Sequence, residues 1–191
     1  MTQIRVDNKN KYRSVRRRCN RSDGSLSDET QRALVLVGCR TKYDVDANLR
    51  AEMIADLPSV AAHEVAEYRL RKVLGKASVG VLSSETLLCL LKAGCTTQAD
   101  VIALMPPQWS RPLYITLATV EASQEVVKYL AALLRESLEP CVLSDTTLFE
   151  LVEQGCCTKA DVVALTKQAI VNMATTKTTK QEVVKFLEEN V

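Results

Sequence analysis

The chain has 191 residues, of which 47% are hydrophobic and 25% charged, and its formal net charge at pH 7 is +2. This apolar content argues against general disorder, while no apolar run is long enough to span a bilayer. Residues 1–24 are polar and basic and lack the apolar segment of a secretory signal, so we expect an intracellular protein without a membrane partner.

Charge is concentrated in residues 1–24, which we define as the basic N-terminal arm. Eight basic residues stand there against two acidic ones, a net charge of +6, so the remaining chain carries −4. Such a segment is typical of arms that bind RNA, DNA or an acidic protein, although a solvated tail or a localisation signal has the same composition. The predicted nucleic-acid-binding residues of the arm are Arg5, Lys9, Lys11, Tyr12, Arg13, Arg16, Arg17, Arg18 and Arg21.

One pattern of residues occurs three times in the rest of the chain. It reads Leu-Ser-x-x-Thr, then Gly-Cys, then Thr-x-x-Asp-Val, in residues 26–45, 82–101 and 143–162. Self-similarity of this kind indicates a tandem array. We predict an all-α protein of three tandem small helical domains, at residues 25–76, 80–137 and 141–191, with four to five short helices in each.

Each copy predicts two helices joined by a tight turn. The serine is placed to cap the first helix, and the glycine to end it in the left-handed conformation of a Schellman motif. In that motif the following cysteine contacts a leucine of the first helix. These residues are Ser27, Leu34, Gly38 and Cys39; Ser83, Leu90, Gly94 and Cys95; and Ser144, Leu151, Gly155 and Cys156.

A second helix is expected to begin at Thr41, Thr97 and Thr158. The aspartate three residues later, Asp44, Asp100 or Asp161, is placed to complete a capping box. A catalytic or metal-binding set of these aspartates is the alternative, but the three belong to separate copies and have no histidine partners.

The pattern Glu-Val-x-x-Tyr/Phe closes each copy, beginning at Glu64, Glu125 and Glu182. The valine and the aromatic residue recur at i and i+3, which predicts a final helix with one buried face. We place His63 at the head of the first of these helices, in a surface or capping role.

The recurring residues, from Leu-Ser-x-x-Thr to Glu-Val-x-x-Tyr-Leu, resemble the C-terminal domain of the bacterial RNA polymerase α subunit. The resemblance covers nearly all of residues 25–191, three times over. It implies compact helical domains with a helix-hairpin-helix-like element. In that family the domain binds the DNA minor groove and docks transcription activators.

The positions by which that family contacts DNA match poorly. Glu29, Glu85 and Thr146 stand where the family has its key arginine, and a carboxylate faces phosphate badly. Arg32, Leu88 and Phe149 replace its asparagine. Only the third copy keeps basic residues in the turn before the last helix, so Lys177 and Lys180 are the predicted nucleic-acid contacts of the repeats.

The second copy carries an insertion at residues 106–114, with three of the five prolines and the only tryptophan. Prolines stiffen a loop, and Trp, Tyr and Arg are common interface anchors. Trp109, Arg111 and Tyr114 are therefore the predicted protein-interaction residues. In the alternative interpretation Trp109 caps the local core.

The seven cysteines include no C-x-x-C pair, and the chain has one histidine. We therefore expect reduced thiols in the cytoplasm, no metal and no cofactor. The sequence shows no Gly-rich phosphate loop, nucleophile elbow or metal-ligand spacing, so we expect no enzyme and no small-molecule substrate.

These patterns together predict a non-enzymatic adaptor of a nucleic-acid-associated assembly, with transcription as the setting that the resemblance implies. The arm would bind RNA or DNA and the repeats would bind protein partners. A sequence-specific DNA-binding transcription regulator is one alternative, and a structural subunit of a large ribonucleoprotein or virus particle is another. Positive charge at the N-termini of the three first helices would favour DNA binding, whereas neutral or negative charge would favour protein contact.

Overall fold

The computed structural model describes residues 26–104, 117–138 and 143–190, and every element in these ranges is helical. The all-α class is therefore confirmed for this part of the chain. Its α-helices are α1 (Asp28–Leu36), α2 (Ala51–Ala55), α3 (Ser59–Leu74), α4 (Ser84–Lys92), α5 (Gln98–Ala103), α6 (Val120–Ser137), α7 (Asp145–Glu153), α8 (Lys159–Val163), α9 (Lys167–Asn172) and α10 (Lys177–Asn190). A π-helical turn (Asp44–Asn48) and a 3-10 turn (Lys76–Ser78) complete them. Repeat 1 below means α1–α3, repeat 2 means α4–α6 and repeat 3 means α7–α10.

Contacts group the described residues into two compact units rather than three. One unit contains residues 26–75 and 87–97, and the other contains residues 76–86 and the described residues from 98 onward. The boundary between them passes through α4, so the division into three domains remains a prediction.

Each unit buries its own apolar core. In the first, α1 packs against α3, and Leu34, Val65 and Leu70 are fully buried. In the second, α7 packs against both α6 and α10, and Leu151 and Val183 are fully buried. The predicted buried face of the last helix is confirmed, because the valine of its pattern is inaccessible to solvent in all three repeats.

The turn after the first helix of each repeat is a Schellman motif, as predicted. The glycines have positive φ angles of +98°, +85° and +84°. The cysteine N–H donates to the leucine carbonyl at 2.8, 3.0 and 2.9 Å, and each cysteine and leucine is at most 2% exposed. These contacts join Cys39 to Leu34, Cys95 to Leu90 and Cys156 to Leu151.

The predicted serine caps of the three first helices are also present. The hydroxyl oxygens of Ser27, Ser83 and Ser144 accept the N–H three residues later, at 3.2, 3.2 and 3.3 Å. At the start of α8, the Asp161 carboxylate accepts the Thr158 N–H at 2.8 Å, and the Thr158 hydroxyl accepts the Asp161 N–H at 3.2 Å. These two reciprocal bonds form the predicted capping box.

Repeat 1 differs from the prediction after its Schellman turn. Asp44 makes the same reciprocal bonds with Thr41, at 2.8 and 3.1 Å, but the chain continues as a π-helical turn and not as an α-helix. The guanidinium of Arg69, on α3 and 9% exposed, donates to the carbonyls of Asp46 and Leu49 at 2.9 and 3.3 Å. Arg69 thereby satisfies carbonyl groups at this wider turn, whereas leucines occupy its position in repeats 2 and 3.

The position of His63 also differs from the prediction. Helix α3 begins at Ser59, with Pro58 as its N-cap, so His63 lies one turn inside the helix. Its Nδ1 is 2.7 Å from the Ser59 carbonyl oxygen. Pro58 explains the earlier start, because proline fixes the φ angle and removes an N–H donor that a helix start does not need.

The left-handed glycine of repeat 2 provides a test of the Schellman turn. A Cβ at Gly94 would meet no atom within 4 Å, so its substitution has a backbone cost and no steric clash. We expect Gly94→Val to lower the free energy of unfolding by about 1 kcal/mol or more, as measured by urea denaturation. Gly94→Asn is the matched control and should be less destabilising, because asparagine tolerates this conformation. Equal losses in the two variants would contradict this explanation.

A second test concerns the π-helical turn. Arg69→Met keeps the apolar length of the side chain but leaves the Asp46 and Leu49 carbonyls without their donor. We expect a loss of about 1–3 kcal/mol in the free energy of unfolding. Arg71→Met on the same helix removes only an ion pair to Glu67 whose side chains are 33% and 40% exposed, so it should cost less than about 1 kcal/mol. Similar losses would show that the turn does not depend on Arg69.

Candidate functional site

Most residues that the sequence predicts as partner contacts lie outside the described residues. This applies to Trp109, Arg111 and Tyr114 of the insertion, and to all arm residues, which are Arg5, Lys9, Lys11, Tyr12, Arg13, Arg16, Arg17, Arg18 and Arg21. Of the predicted contacts, the structure places Lys177 and Lys180, both near the start of α10. The described site that recurs in every repeat is instead the N-terminus of its first helix.

A glutamate from the last helix accepts hydrogen bonds at that N-terminus in every repeat. In repeat 1, the Glu64 carboxylate accepts the Ser27 N–H, the Ser27 hydroxyl at 2.7 Å and the Thr30 hydroxyl. We call this group the Ser–Thr–Glu cluster. It consists of Ser27, Thr30 and Glu64 in repeat 1; Ser83, Thr86 and Glu125 in repeat 2; and Ser144, Thr147 and Glu182 in repeat 3.

The clusters of repeats 2 and 3 have the same donors. Ser83 N–H donates to Glu125 at 2.7 Å, and the hydroxyls of Ser83 and Thr86 also donate to it. Ser144 donates to Glu182 through both its N–H and its hydroxyl, each at 2.9 Å. The threonines are at most 2% exposed in all three clusters, so the glutamate satisfies polar groups that water does not reach.

The hydrogen bonds in repeats 2 and 3 favour the ionised form of Glu125 and Glu182. The Ser144 N–H, followed by the hydroxyl of Thr147, lowers the pKa of Glu182 below its ordinary value. Burial acts to raise the pKa of Glu125, but the bonds from Ser83 and Thr86 outweigh it and the net shift is downward. A negative charge therefore lies at these helix N-termini at neutral pH.

Repeat 3 has a second, reciprocal cap. Helix α7 supplies Glu150, which accepts the Thr176 N–H at the start of α10 at 2.8 Å. Between the two caps, the hydroxyl oxygens of Thr147 and Thr179 are 3.2 Å apart. The two helices carry the same spacing of a capping hydroxyl, a threonine and a glutamate, in Ser144, Thr147 and Glu150 and in Thr176, Thr179 and Glu182. Each helix thus caps the other.

The second cap lies at the helix start that carries Lys177 and Lys180, the two predicted nucleic-acid contacts that the structure describes. The Lys180 ammonium donates to the Val171 carbonyl at 2.7 Å and is half-buried. Lys177 is exposed, but Glu150 already accepts the Thr176 N–H beside it. A phosphate at this helix start would therefore have to displace a carboxylate of the chain itself.

The outer surfaces of the first-helix N-termini are also acidic. Asp28 and Glu29 on α1, Glu85 on α4 and Asp145 on α7 are all exposed. Asp145 forms an ion pair with Arg135 of α6. Negative charge at these positions repels phosphate.

The described cysteines are structural. Cys39, Cys89, Cys95, Cys156 and Cys157 are free and buried. Burial raises the pKa of Cys156 and of Cys157 to about 12, so neither thiol is ionised at neutral pH. In the described ranges, no three His, Cys, Asp or Glu side chains are placed to hold a metal ion, and no helix has the length and apolar character to cross a membrane.

The glutamate of the cluster was missed as a functional group by the sequence analysis. Its recurrence immediately before the buried valine was visible, but only the valine and the aromatic residue were assigned a role. The same is true of Thr30, Thr86 and Thr147, which recur three residues after the capping serine. The threonine and the glutamate each recur at a constant position in all three copies. This shared recurrence is the pattern that would have indicated that the two side chains are in contact.

Comparison of the chain with protein-family models, with curated proteins and with solved structures found no match. Its function is therefore inferred from its own residues and contacts.

The cluster predicts a dependence of stability on acid. Because the folded pKa of Glu182 lies below its ordinary value of 4.5, its contribution is present above that value and is lost as the pH falls through the folded pKa. We expect Glu182→Gln to lower the free energy of unfolding by about 1 kcal/mol at pH 7, after allowing for solvent screening. The melting temperature of this variant should fall less steeply below pH 4.5 than that of the unmodified protein.

Glu189→Gln is the matched control for this measurement. Glu189 lies on the same helix and is exposed, and the Lys185 ammonium is 3.9 Å from its carboxylate. This variant should retain the acid dependence of the unmodified protein. If both variants behave alike, the cluster does not set the acid response.

Proposed function

We propose that this protein is a non-enzymatic adaptor of a nucleic-acid-associated assembly, in which the arm binds RNA or DNA and the repeats bind protein. The observation that carries the proposal is the separation of charge. The arm has a net charge of +6 and the remaining chain −4, and the helix starts that would suit phosphate are filled by Glu64, Glu125 and Glu182 in the three repeats.

We further propose that the repeats are helix-hairpin-helix-like units related in architecture to the C-terminal domain of the polymerase α subunit. Support comes from the two short helices of repeat 3, α7 and α8, which are joined by a Schellman turn and a capping box. The DNA-binding face of that family is largely lost in repeats 1 and 2, whereas repeat 3 keeps Lys177 and Lys180. Glu29 and Glu85 replace its arginine and are exposed, which opposes the alternative of a sequence-specific DNA regulator.

A reducing, cytoplasmic environment fits this proposal. The described cysteines occupy core positions as small apolar residues, a role that needs no oxidising compartment. Burial raises the pKa of Cys156 and Cys157 to about 12, so these two thiols are not ionised at neutral pH.

Deleting residues 1–21 tests the role of the arm. Counterion release makes the logarithm of affinity fall with the logarithm of salt concentration, by about 0.7 per phosphate contact on single strands. We expect the deletion to weaken binding of a single-stranded RNA and to flatten this slope by several contacts, as measured by fluorescence anisotropy. The circular dichroism of the helices should be unchanged.

Lys177→Ala is the control in the same assay. It removes one exposed basic residue from repeat 3 and should change the slope by less than about one contact. Unchanged affinity and slope after deletion of the arm would leave the arm without a nucleic-acid-binding role.

A further inference from the structure

Repeat 1 has one residue more than repeats 2 and 3 after its capping aspartate. Residues 44–49 read Asp-Val-Asp-Ala-Asn-Leu, whereas residues 100–104 read Asp-Val-Ile-Ala-Leu and residues 161–165 read Asp-Val-Val-Ala-Leu. Because the aspartate, the valine, the alanine and the leucine recur in all three copies, the residue without a counterpart is Asn48. The insertion coincides with the π-helical turn, which spans Asp44–Asn48.

The extra residue accounts for the width of this turn. An α-helix bonds each N–H to the carbonyl four residues before it, whereas a π-helix uses the carbonyl five residues before it. One inserted residue can therefore be taken up as a single π-helical turn. The corresponding segments of repeats 2 and 3, which lack the insertion, belong to α5 and α8 and are α-helical.

The core on both sides of the insertion is preserved. Val45 and Leu49 are buried, as are the valine and the leucine at the same positions of repeat 3. The three residues between Val45 and Leu49 are exposed, so the extra length is accommodated toward solvent. The Asn48 amide donates to the Asp44 carboxylate at 3.4 Å, which connects the inserted residue to the start of the turn.

A second substitution in repeat 1 accompanies the insertion. Arg69 occupies a position that is Leu130 in repeat 2 and Leu187 in repeat 3, and Leu130 is fully buried. The Arg69 guanidinium donates to the carbonyls of Asp46 and Leu49, one inside the wide turn and one directly after it. A guanidinium holds its N–H donors in a fixed plane, so a single side chain can satisfy both carbonyls.

The wide turn and the arginine depend on each other. Without the guanidinium, the two carbonyls lose their donor, and a polar group left unsatisfied inside a protein carries its full desolvation penalty. Without the wide turn, the carbonyls no longer lie at the guanidinium. Arg69 is only 9% exposed, and a buried charge that has lost its acceptors is strongly destabilising.

We propose that Asn48 and Arg69 form one conformational device, in which the inserted asparagine widens the turn and the arginine holds the wide form. Either residue without the other destabilises repeat 1, whereas loss of both returns the segment to the α-helical turn of repeats 2 and 3. The device goes beyond the proposed function and does not depend on it, because it concerns only the scaffold of repeat 1.

A double-mutant cycle in the full chain tests this coupling. The variants are Arg69→Leu, deletion of Asn48, and the two changes together, and thermal unfolding is followed by circular dichroism. We expect each single change to lower Tm by about 5 °C, as loss of buried hydrogen bonds does in a chain of this size. The combined variant should melt within about 2 °C of the unmodified chain.

Arg71→Leu is the matched control for the rescue. It places a leucine on the same helix, where the arginine pairs only with the partly exposed Glu67, and it should not restore the Tm of the chain that lacks Asn48. Restoration by Arg71→Leu equal to that by Arg69→Leu would contradict the proposal, because any added leucine would then suffice.

The combined variant decides the remaining outcomes. Losses of Tm that add in this variant would overturn the proposal, as would its failure to fold. A chain without Asn48 that folds only when Arg69→Leu is also present would support it. A crystal structure of the combined variant gives a second measurement, in which an α-helical turn supports the proposal and a retained π-helical turn overturns it.

Discussion

Glu64, Glu125 and Glu182 each connect the last helix of a repeat to the first turn of its first helix. A helix start leaves N–H groups without partners inside the helix, and the capping serine satisfies only one of them. The glutamate takes the N–H of that serine together with nearby hydroxyls. In repeats 1 and 3, whose first and last helices pack together, the contact joins the two ends of the repeat. The valines beside the three glutamates are fully buried.

The same contact fills a position at which a helix could otherwise bind an anion. An unfilled helix N-terminus attracts phosphate through its N–H groups and its dipole. Here an internal carboxylate already occupies that position, and exposed acidic residues surround it. The first-helix N-termini of the repeats therefore present a carboxylate to an approaching phosphate and not free N–H groups. Positive charge is instead supplied by a segment of the chain that precedes the repeats.

Features that depend on neighbours in the sequence could be predicted from it. The capping serines, the left-handed glycines and the capping aspartates act over three to five residues, so the spacing of residue types was sufficient to find them. The glutamate contacts within each repeat could not be found in this way, because the serines that they bond are 37, 42 and 38 residues away. The π-helical turn could not be predicted for the same reason. The guanidinium that donates to its carbonyls belongs to Arg69, which lies on another helix.

The grouping of the described residues into two compact units was also beyond sequence reasoning. The boundary between the units passes through α4, whereas the repeat pattern marks only where each copy begins. Of the predicted partner contacts, the lysines of α10 could be placed, and Lys180 bonds to the carbonyl of Val171. A lysine in a basic turn predicts charge at that place, but the sequence does not show whether its ammonium is already engaged.

Closing a repeat through its two ends leaves the intervening chain free to vary. The entropy of closing a loop grows only with the logarithm of its length. Lengthening the separation from 37 residues in repeat 1 to 42 in repeat 2 therefore adds about 0.1 kcal/mol to the cost of closure. A proline-rich insertion in repeat 2 is thus almost neutral for the closing contact. Such a repeat can gain or lose short segments between its second and last helices, and new binding specificities can arise there without any change to the residues that hold it closed.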